Sequence, residues 1–209
     1  SAGTVKAVDG ISYTVDEGET VALVGESGCG KSVSALSILR LIPWPPGKIV
    51  GGHIKFDGID LATLSEEEIR KIPGKEIAMV FQEPTLLPWR CLRDNITIPT
   101  GVDAKTAEDA LTEVGLAGRG SDFPAQLSLG QQRRLSLARA FAVKPTLLLL
   151  DEPFVSLDPA LADEMILLFI RLREAHQVAS IFVTHVVDEA EKMASRTIRL
   201  AGSPARLVL

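Results

Sequence analysis

The sequence predicts an α/β fold with a mainly parallel sheet, an N-terminal antiparallel β portion and an inserted α-helical subdomain. Short apolar runs alternate with segments of helical periodicity, which is the pattern of a parallel sheet covered on both faces. Across residues 83–123 the β signals nearly vanish and helical spacing takes over. The 209 residues are enough for one substantial domain, or for a core with a smaller insertion.

Composition narrows the classes of function. Hydrophobic residues make up 46% of the chain and charged residues 23%, as in an ordinary globular protein. No apolar run approaches the roughly 18 residues that span a bilayer, and SAGTVKAVDG has no features of a secretory signal. The net charge of −5 argues against broad nucleic-acid contact but still permits a nucleotide. Cys29 and Cys91 match neither a disulfide framework nor a metal site, so a reducing compartment is expected.

The first third of the chain reads as short strands with tight connections. Residues 11–15 and Thr20–Val24 are β-rich runs on either side of the turn DEGE. The helical segment SVSALSILRLI is ended by the proline- and glycine-rich IPWPPGKIVGG. A hairpin is expected in HIKFDGIDL at its Asp-Gly, then a short helix over residues 66–72 and a strand in EIAMVFQ.

The α/β alternation returns after the helical part. The expected order is a helix through QQRRLSLARAFA, the strand TLLLLD, a helix over about 159–175, the strand ASIFVT and a helix through VVDEAEKMA. This pattern divides the chain into three parts. We predict that residues 1–82 form the first part of the core with the antiparallel β portion, 83–134 the helical subdomain, and 135–209 the rest of the core.

The stretch GESGCGKS lies between the apolar run TVALV and the first predicted helix. Its Gly-x4-Gly-Lys-Ser spacing matches the P-loop, in which glycines turn backbone N–H groups towards a phosphate at a helix N-terminus. The flanking elements disfavour the alternative of a glycine-rich turn with an accidental GKS. We therefore predict a P-loop NTPase core, with Lys31 on the terminal phosphates and Ser32 on Mg²⁺. The predicted nucleotide-binding residues are Gly25, Glu26, Ser27, Gly28, Cys29, Gly30, Lys31 and Ser32.

Two carboxylates follow the apolar strand in TLLLLDEP. Ligands of open α/β sheets bind at the carboxyl ends of the strands. We expect Asp151 to hold Mg²⁺, directly or through water, and Glu152 to orient or deprotonate the attacking water. A solvated acidic turn is the alternative, and it is the weaker one beside a P-loop.

Three further polar positions are ambiguous when taken singly. Gln82 and His185 each follow a predicted strand, where a hydrogen-bonded loop residue is the usual explanation. In LSLGQQRR, Ser128 and Gln131 have the spacing of a helix capping box, which is a sufficient structural account. A capped helix N-terminus with a glycine is also an anion site.

Taken together, these motifs resemble the ATP-binding cassette (ABC) family, the nucleotide-binding subunits of ABC transporters, over essentially the whole chain. GESGCGKS is similar to Walker A, FQEP to the Q-loop, LSLGQ to the signature and LLLLDEP to Walker B. SLD at residues 156–158 is similar to the D-loop, and TH at 184–185 to the switch histidine.

The resemblance implies a head-to-tail homo- or heterodimer with ATP between Walker A of one subunit and the signature of the other. Ser128, Gly130 and Gln131 would then act in trans on the γ-phosphate, and Asp158 across the interface. His185 would contact the γ-phosphate and help to place the water. Gln82 would sense Mg²⁺ and the γ-phosphate, and is expected among both the catalytic residues and the metal ligands.

The implied function is ATP hydrolysis that drives solute import through separate transmembrane permease subunits, together with a solute-binding protein. The chain would be cytoplasmic and peripheral on the inner face of the cell membrane. A coupling helix of the permease would dock beside Gln82 at Leu87, Pro88 and Trp89, although Trp89 could instead pack inside the insertion. One alternative is a soluble non-transport ABC ATPase of DNA repair or translation, which the single cassette and acidic charge disfavour. Another is a cassette that binds ATP with impaired hydrolysis.

The chain departs from the family pattern in places. Leu129 replaces the first glycine of LSGGQ. The retained Gly130 is expected to allow the close phosphate approach, so activity should be weakened or retuned rather than lost. The family stacks adenine on an aromatic residue near the start of the cassette, whereas Tyr13 is expected in the core. Either that aromatic residue lies upstream of SAGTV or adenine is held less well, and no regulatory extension is expected after LAGSPARLVL. The N-terminal part resembles oligopeptide and nickel importer ATPases, and the later part resembles those of nitrate, sulfonate and taurine importers.

Overall fold

A computed structural model describes residues 6–42, 47–70, 72 and 76–208. It contains a six-stranded sheet in the order β4-β5-β6-β1-β7-β8 and a separate hairpin, β2-β3. The strands are β1 (Thr20–Val24), β2 (Lys55–Phe56), β3 (Ile59–Asp60), β4 (Ile77–Val80), β5 (Leu147–Asp151), β6 (Ala179–Thr184), β7 (Arg196–Ala201) and β8 (Arg206–Val208). Only β7–β8 is antiparallel among the neighbouring pairs of the six-stranded sheet. The predicted α/β fold with a mainly parallel sheet is confirmed.

Helices cover both faces of this sheet. They are α1 (Lys31–Ile38), α2 (Glu66–Ile69), α3 (Leu92–Thr100), α4 (Ala104–Glu113), α5 (Leu129–Phe141), α6 (Pro159–His176) and α7 (Val187–Met193), with a 3₁₀ turn at Pro124–Gln126. None of the described helices is both long and apolar enough to cross a bilayer.

Strand β5 explains how the two faces are built. Leu148 and Leu150 point into one apolar cluster, which contains residues of α3, α4, α5 and α6. Leu147 and Leu149 point into the other, which contains residues of α1 and α2. A strand buried on both faces needs a continuous apolar run rather than an alternating one, and TLLLLD has that pattern.

The hairpin forms at the predicted Asp-Gly. Asp57 and Gly58 both have left-handed backbones, with φ of 46° and 77°. A two-residue type I′ turn requires positive φ at both central positions, which is the reason for the Asp-Gly preference. This hairpin is the antiparallel β portion in the N-terminal part of the chain.

The predicted strand at residues 11–15 was wrong. Its apolar residues are half-buried and its polar residues exposed, so the alternation does select a face. Tyr13 and Val15 pack against the cluster on the α1 side, and burial raises the pKa of Tyr13 to about 12. A strand also needs a backbone ladder, and no named strand of the described chain pairs with this segment.

Two predicted helices are shorter than expected. Helix α1 ends at Ile38 because Arg40 takes a left-handed backbone with φ of 53°, before the proline-rich stretch is reached. Pro43 to Pro46 lie outside the described residues. Helix α2 has the capping box of Ser65 and Glu68 and ends at Ile69. Of the remaining predicted residues, Arg70 is the C-cap and Ile72 is not helical, while residue 71 lies outside the described part.

Candidate functional site

The P-loop and the predicted site residues Gln82, Asp151, Glu152 and His185 lie at the carboxyl ends of four adjacent strands, β4, β5, β6 and β1. The P-loop follows β1, His185 follows β6, and Asp151 ends β5. Gln82 stands two residues beyond the Val80–Leu150 pair of β4 and β5. Because these strands are parallel, their carboxyl ends meet at one edge, which gathers residues that are distant in sequence.

The P-loop presents an uncapped helix N-terminus. Gly30 precedes α1 with φ of 94° and provides no side-chain hydrogen bond to the first turn. A Cβ at Gly30 would lie 2.6 Å from the carbonyl oxygen of Ala7, so a side chain is excluded by space as well as by conformation. The N–H groups of the first turn are therefore suited to a phosphate.

Lys31 is drawn into its own loop. Lys31 is only 4% exposed. Its Nζ donates to the carbonyl oxygens of Gly25 at 2.9 Å and Glu26 at 2.8 Å. A buried ammonium needs acceptors, and these carbonyls supply them. Phosphate oxygens are stronger acceptors for a charged donor and could take the place of the carbonyls.

Ser32 and Asp151, both predicted ligands of Mg²⁺, are in contact with each other. The Ser32 Oγ donates to Asp151 Oδ1 at 2.7 Å. Burial raises the pKa of the Asp151 carboxyl, with a smaller contribution from the nearby Glu152, while the Ser32 bond and Lys31 oppose the shift. A hydroxyl beside a partly desolvated carboxylate is a hard-oxygen donor pair of the kind that suits Mg²⁺.

Glu152 and His185 form a second contact at this edge. Glu152 Oε1 lies 3.2 Å from His185 Nδ1, and the Glu152 backbone N–H donates to Val183 O at 2.9 Å. Glu152 has a left-handed backbone with φ of 46°, which costs about 1–3 kcal/mol for a residue other than glycine. Strain of this kind concentrates at functional sites, because the surrounding structure must enforce it.

Sequence reasoning missed Glu189, which is buried behind His185. Glu189 Oε2 accepts a hydrogen bond from the Thr184 hydroxyl at 2.7 Å, and burial raises the pKa of the Glu189 carboxyl. In the sequence it is one acid among several in VVDEAEKMA. No signal in that segment distinguishes it from a solvated helix glutamate.

The signature segment is explained first by helix capping and packing. Ser128 Oγ accepts from Gln131 N at 3.3 Å, and Gln131 Oε1 accepts from Ser128 N at 3.1 Å, so the predicted capping box is present. A Cβ on Gly130 would lie 2.8 Å from Leu161 Cδ1 of α6. The small size of Gly130 therefore makes room for α6 of the same chain. Leu129, the departure from LSGGQ, is 44% exposed.

The signature and D-loop residues do not join the cluster around Lys31. Asp158 caps α6 by accepting from Leu161 N at 3.1 Å. Within the described residues, the hydrogen bonds of Ser128, Gln131 and Asp158 are those of helix caps. Gln82 is exposed at the shared edge, and among the described residues no hydrogen bond joins it to Ser32 or Asp151.

The turn before α3 presents a tryptophan to solvent. Trp89 is 70% exposed, while Asn95 of α3 is fully buried beneath the turn. Asn95 accepts from Leu87 N at 2.7 Å and donates to the carbonyl oxygens of Leu87, Arg90 and Cys91 at 3.0–3.1 Å. Asn95 therefore fixes the turn, a role that the sequence alone did not reveal.

The chain is similar in sequence to proteins of a known family. A family profile described as "ABC transporter" matches residues 8–155. The chain is 38% identical over 207 residues to the oligopeptide transport ATP-binding protein OppD of Bacillus subtilis, covering 93% of this chain and 58% of OppD. It is 39% identical over 205 residues to the dipeptide transport ATP-binding protein DppD of Escherichia coli, covering 90% and 62%. It is 37% identical over 221 residues to the trimethylamine N-oxide transport ATP-binding protein TmoW of Pelagibacter ubique, covering 99% and 63%.

The chain thus spans 58–63% of the length of these three curated relatives. Among solved structures, it resembles the dimeric post-hydrolysis state of the ATP-binding cassette MJ0796 bound to ADP and Pi. That match has a TM-score of 0.81 and 30% identity, and covers 95% of this chain and 88% of that one. A second dimeric structure of MJ0796, described as a bacterial ABC transporter cassette, matches with a TM-score of 0.79.

Proposed function

Because this chain belongs to the ABC transporter family, we propose that it binds and hydrolyses ATP to drive solute import through separate membrane subunits. The observation that carries the proposal is the contact of Glu152 with His185 at 3.2 Å. It lies at the same sheet edge as the buried Lys31 and the Ser32–Asp151 pair. A phosphate-binding loop beside an oriented carboxylate is the arrangement that hydrolysis of a nucleoside triphosphate needs.

The residues have distinct roles in this proposal. The loop N–H groups and Lys31 hold the phosphates, with the Lys31 ammonium exchanging the Gly25 and Glu26 carbonyls for phosphate oxygens. Glu152 accepts the proton of a water whose oxygen attacks the γ-phosphorus, as the bond to the ADP oxygen breaks. His185 holds Glu152 in place and approaches the γ-phosphate.

Mg²⁺ is the proposed metal cofactor. Ser32 and Asp151 would hold it, with Gln82 as a further ligand, and it would neutralise charge on the β- and γ-phosphates. The Ser32–Asp151 contact at 2.7 Å supports this assignment, because the two oxygen ligands already lie next to each other.

A second cassette completes the proposed site. Ser128, Gly130 and Gln131 would act in trans on the γ-phosphate, with Asp158 across the interface. The exposed N-terminus of α5 supports this assignment, since Ser128 and Leu129 face solvent within one chain. The dimeric state of the MJ0796 structures supports it as well.

We propose that transmembrane permease subunits dock at Leu87, Pro88 and Trp89, which holds the chain on the inner face of the cell membrane. The 70% exposure of Trp89 favours docking over packing inside the helical part. A solute-binding protein would deliver the cargo. Relatives of similar identity are named for oligopeptide, dipeptide and trimethylamine N-oxide transport, so we assign cargo selection to the partner subunits.

Steady-state Mg·ATP hydrolysis tests the proposal. The turnover per subunit should rise with protein concentration, and Glu152→Gln should reduce it by at least about a hundredfold, because the variant lacks the base. Glu66→Gln is the matched control, since Glu66 is an exposed residue of α2 whose ion pair with Arg70 lies at the surface. Hydrolysis by Glu152→Gln at the parent rate would contradict the assignment of the base. ATP binding without turnover, across all concentrations, would instead favour a cassette with impaired hydrolysis.

A further inference from the structure

Glu189 is a buried carboxyl group that the proposed chemistry does not use. It lies in the first turn of α7 and is 8% exposed. Its neighbour Asp188 is solvated and pairs with Lys192 at 2.7 Å, as a surface helix acid usually does. Burying a carboxyl group is costly unless it is hydrogen-bonded, so the partner of Glu189 is informative.

That partner is the residue directly before His185. The Thr184 hydroxyl donates to Glu189 Oε2 at 2.7 Å and accepts from the backbone N–H of Val186 at 3.0 Å. A hydroxyl has one proton to donate. Because the hydroxyl donates that proton to Glu189, its lone pairs remain available to accept from the Val186 N–H. The two chain neighbours of His185, Thr184 and Val186, are therefore hydrogen-bonded to each other.

These two hydrogen bonds fix the backbone on both sides of His185. On its other side, His185 Nδ1 lies 3.2 Å from Glu152 Oε1. The Glu152 backbone N–H donates in turn to Val183 of β6, the strand that His185 follows. His185 is therefore held between two linked strand ends. A 1 Å displacement of such a group can reduce a rate by about a hundredfold.

We propose that Glu189 is a positioning residue that holds His185 against Glu152 through the Thr184 hydroxyl, and so governs the rate of ATP hydrolysis without touching the nucleotide. The inference rests on the proposed function, in which Glu152 and His185 act in hydrolysis. A purely structural role would be different. Glu189 would then stabilise the start of α7, and its removal would affect stability and rate independently of His185.

The test is a double-mutant cycle on the whole chain. Glu189→Leu should lower kcat by about tenfold to a hundredfold and change KM for ATP by less than about threefold. Glu189→Gln keeps an acceptor oxygen for Thr184 and should recover most of kcat. Glu191→Gln, an exposed glutamate of the same helix, is the matched control. In a His185→Ala background, Glu189→Leu should cause no further loss, because the group that it positions is gone.

Equal losses from Glu189→Leu with and without His185 would overturn the proposal. Failure of the proposed function itself would be recognised differently. The single variants His185→Ala and Glu152→Gln would then hydrolyse ATP at the parent rate.

A second measurement does not depend on turnover. The chain has 3 histidines, so the imidazole ¹⁵N resonances are few. Glu189→Leu should shift the His185 resonances clearly further than Glu189→Gln, which removes the same charge but keeps an acceptor for Thr184, and Glu191→Gln should leave them close to the parent. An unchanged His185 spectrum in a folded Glu189→Leu protein would also overturn the proposal.

Discussion

At the scale of one residue, the surroundings of Asp151 disfavour the ionised form of its carboxyl group. Its carboxyl group is partly desolvated, and Glu152 adds a second negative charge beside it, while the Ser32 hydroxyl donates a hydrogen bond to it. Desolvation and a like charge both raise the pKa of a carboxyl group. Without a cation, the ionised form therefore opposes folding.

The sign of the pH dependence follows from this shift. A carboxyl group whose folded-state pKa lies above the ordinary aspartate value of 3.8 binds its proton more tightly in the native state. Asp151→Asn should therefore stabilise the protein at neutral pH in the absence of Mg²⁺ and nucleotide. The gain should shrink as the pH falls through the raised folded pKa towards 3.8, and urea unfolding at several pH values measures it.

Asp103 provides a control of opposite sign. It caps α4, and the Thr106 N–H donates to its carboxylate and lowers the pKa. Asp103→Ala should destabilise the protein at neutral pH, and its effect should shrink as Asp103 is protonated at low pH. A destabilising Asp151→Asn at neutral pH would show that the Ser32 bond outweighs the desolvation of Asp151.

At the scale of elements, α5 connects the sheet edge to the helical part. Ser136 Oγ donates to Pro84 O at 3.0 Å, and Arg139 donates to Pro84 O at 3.0 Å and to Thr85 O at 2.9 Å. These bonds fix the segment that follows Gln82. Helix α5 also runs from Leu129 to Phe141 without a break at residue 134. The division at 82/83 and 134/135 stays a prediction, which limited proteolysis can test.

Arg133 of the same helix is buried with Nε and Nη1 unpartnered within the described residues. Burial lowers the pKa of its guanidinium, and Glu83 only partly opposes this. Because unpaired buried donors cost free energy, Arg133→Met should raise the free energy of unfolding by about 1–2 kcal/mol. Thermal and urea unfolding measure the change.

Arg134 is the matched control for that substitution. It donates to Val114 O at 2.6 Å and pairs with Glu164. Arg134→Met removes satisfied bonds, so it should destabilise the protein. If Arg133→Met were the more damaging of the two, the guanidinium of Arg133 would have to be paired in solution.

At the scale of the whole molecule, the two parts of the proposed nucleotide site lie apart within one chain. The cluster of Lys31, Asp151 and Glu152 lies at the sheet edge, while Ser128 and Leu129 face solvent at the start of α5. A second copy can bring the two halves together. The proposed head-to-tail dimer therefore makes a prediction that separates phosphate recognition from helix capping.

The prediction concerns the charge at position 128 and is tested in the Glu152→Gln variant. That variant should form an ATP-bound dimer. Both Asp and Asn cap helices as well as Ser does. Ser128→Asn should therefore preserve both the helix and the dimer, whereas Ser128→Asp should abolish dimerisation because its carboxylate repels the γ-phosphate. Light scattering with and without ATP measures the mass. A dimer of the Ser128→Asp protein as tight as that of Ser128→Asn would contradict the role of Ser128 in trans.

The comparisons confirm the sequence-based family and the resemblance to oligopeptide importer ATPases. The resemblance of the later part to nitrate, sulfonate and taurine importer ATPases stays a prediction. Motifs carry this information well because they are local in the chain. GESGCGKS contains its own loop, helix start and charge, and its neighbouring strand is the apolar run before it.

The sequence by itself determined the α/β fold, the P-loop, the capping box of Ser128 and Gln131, and the hairpin at Asp57 and Gly58. Each depends on residues within a few positions of one another, where backbone propensity and hydrogen-bonding reach suffice. Only the tertiary structure decided that residues 11–15 lack a ladder, that Gly130 accommodates Leu161, and that Glu189 supports Thr184 beside His185. These outcomes depend on which surfaces meet after the chain has folded, and neither periodicity nor residue type contains that information.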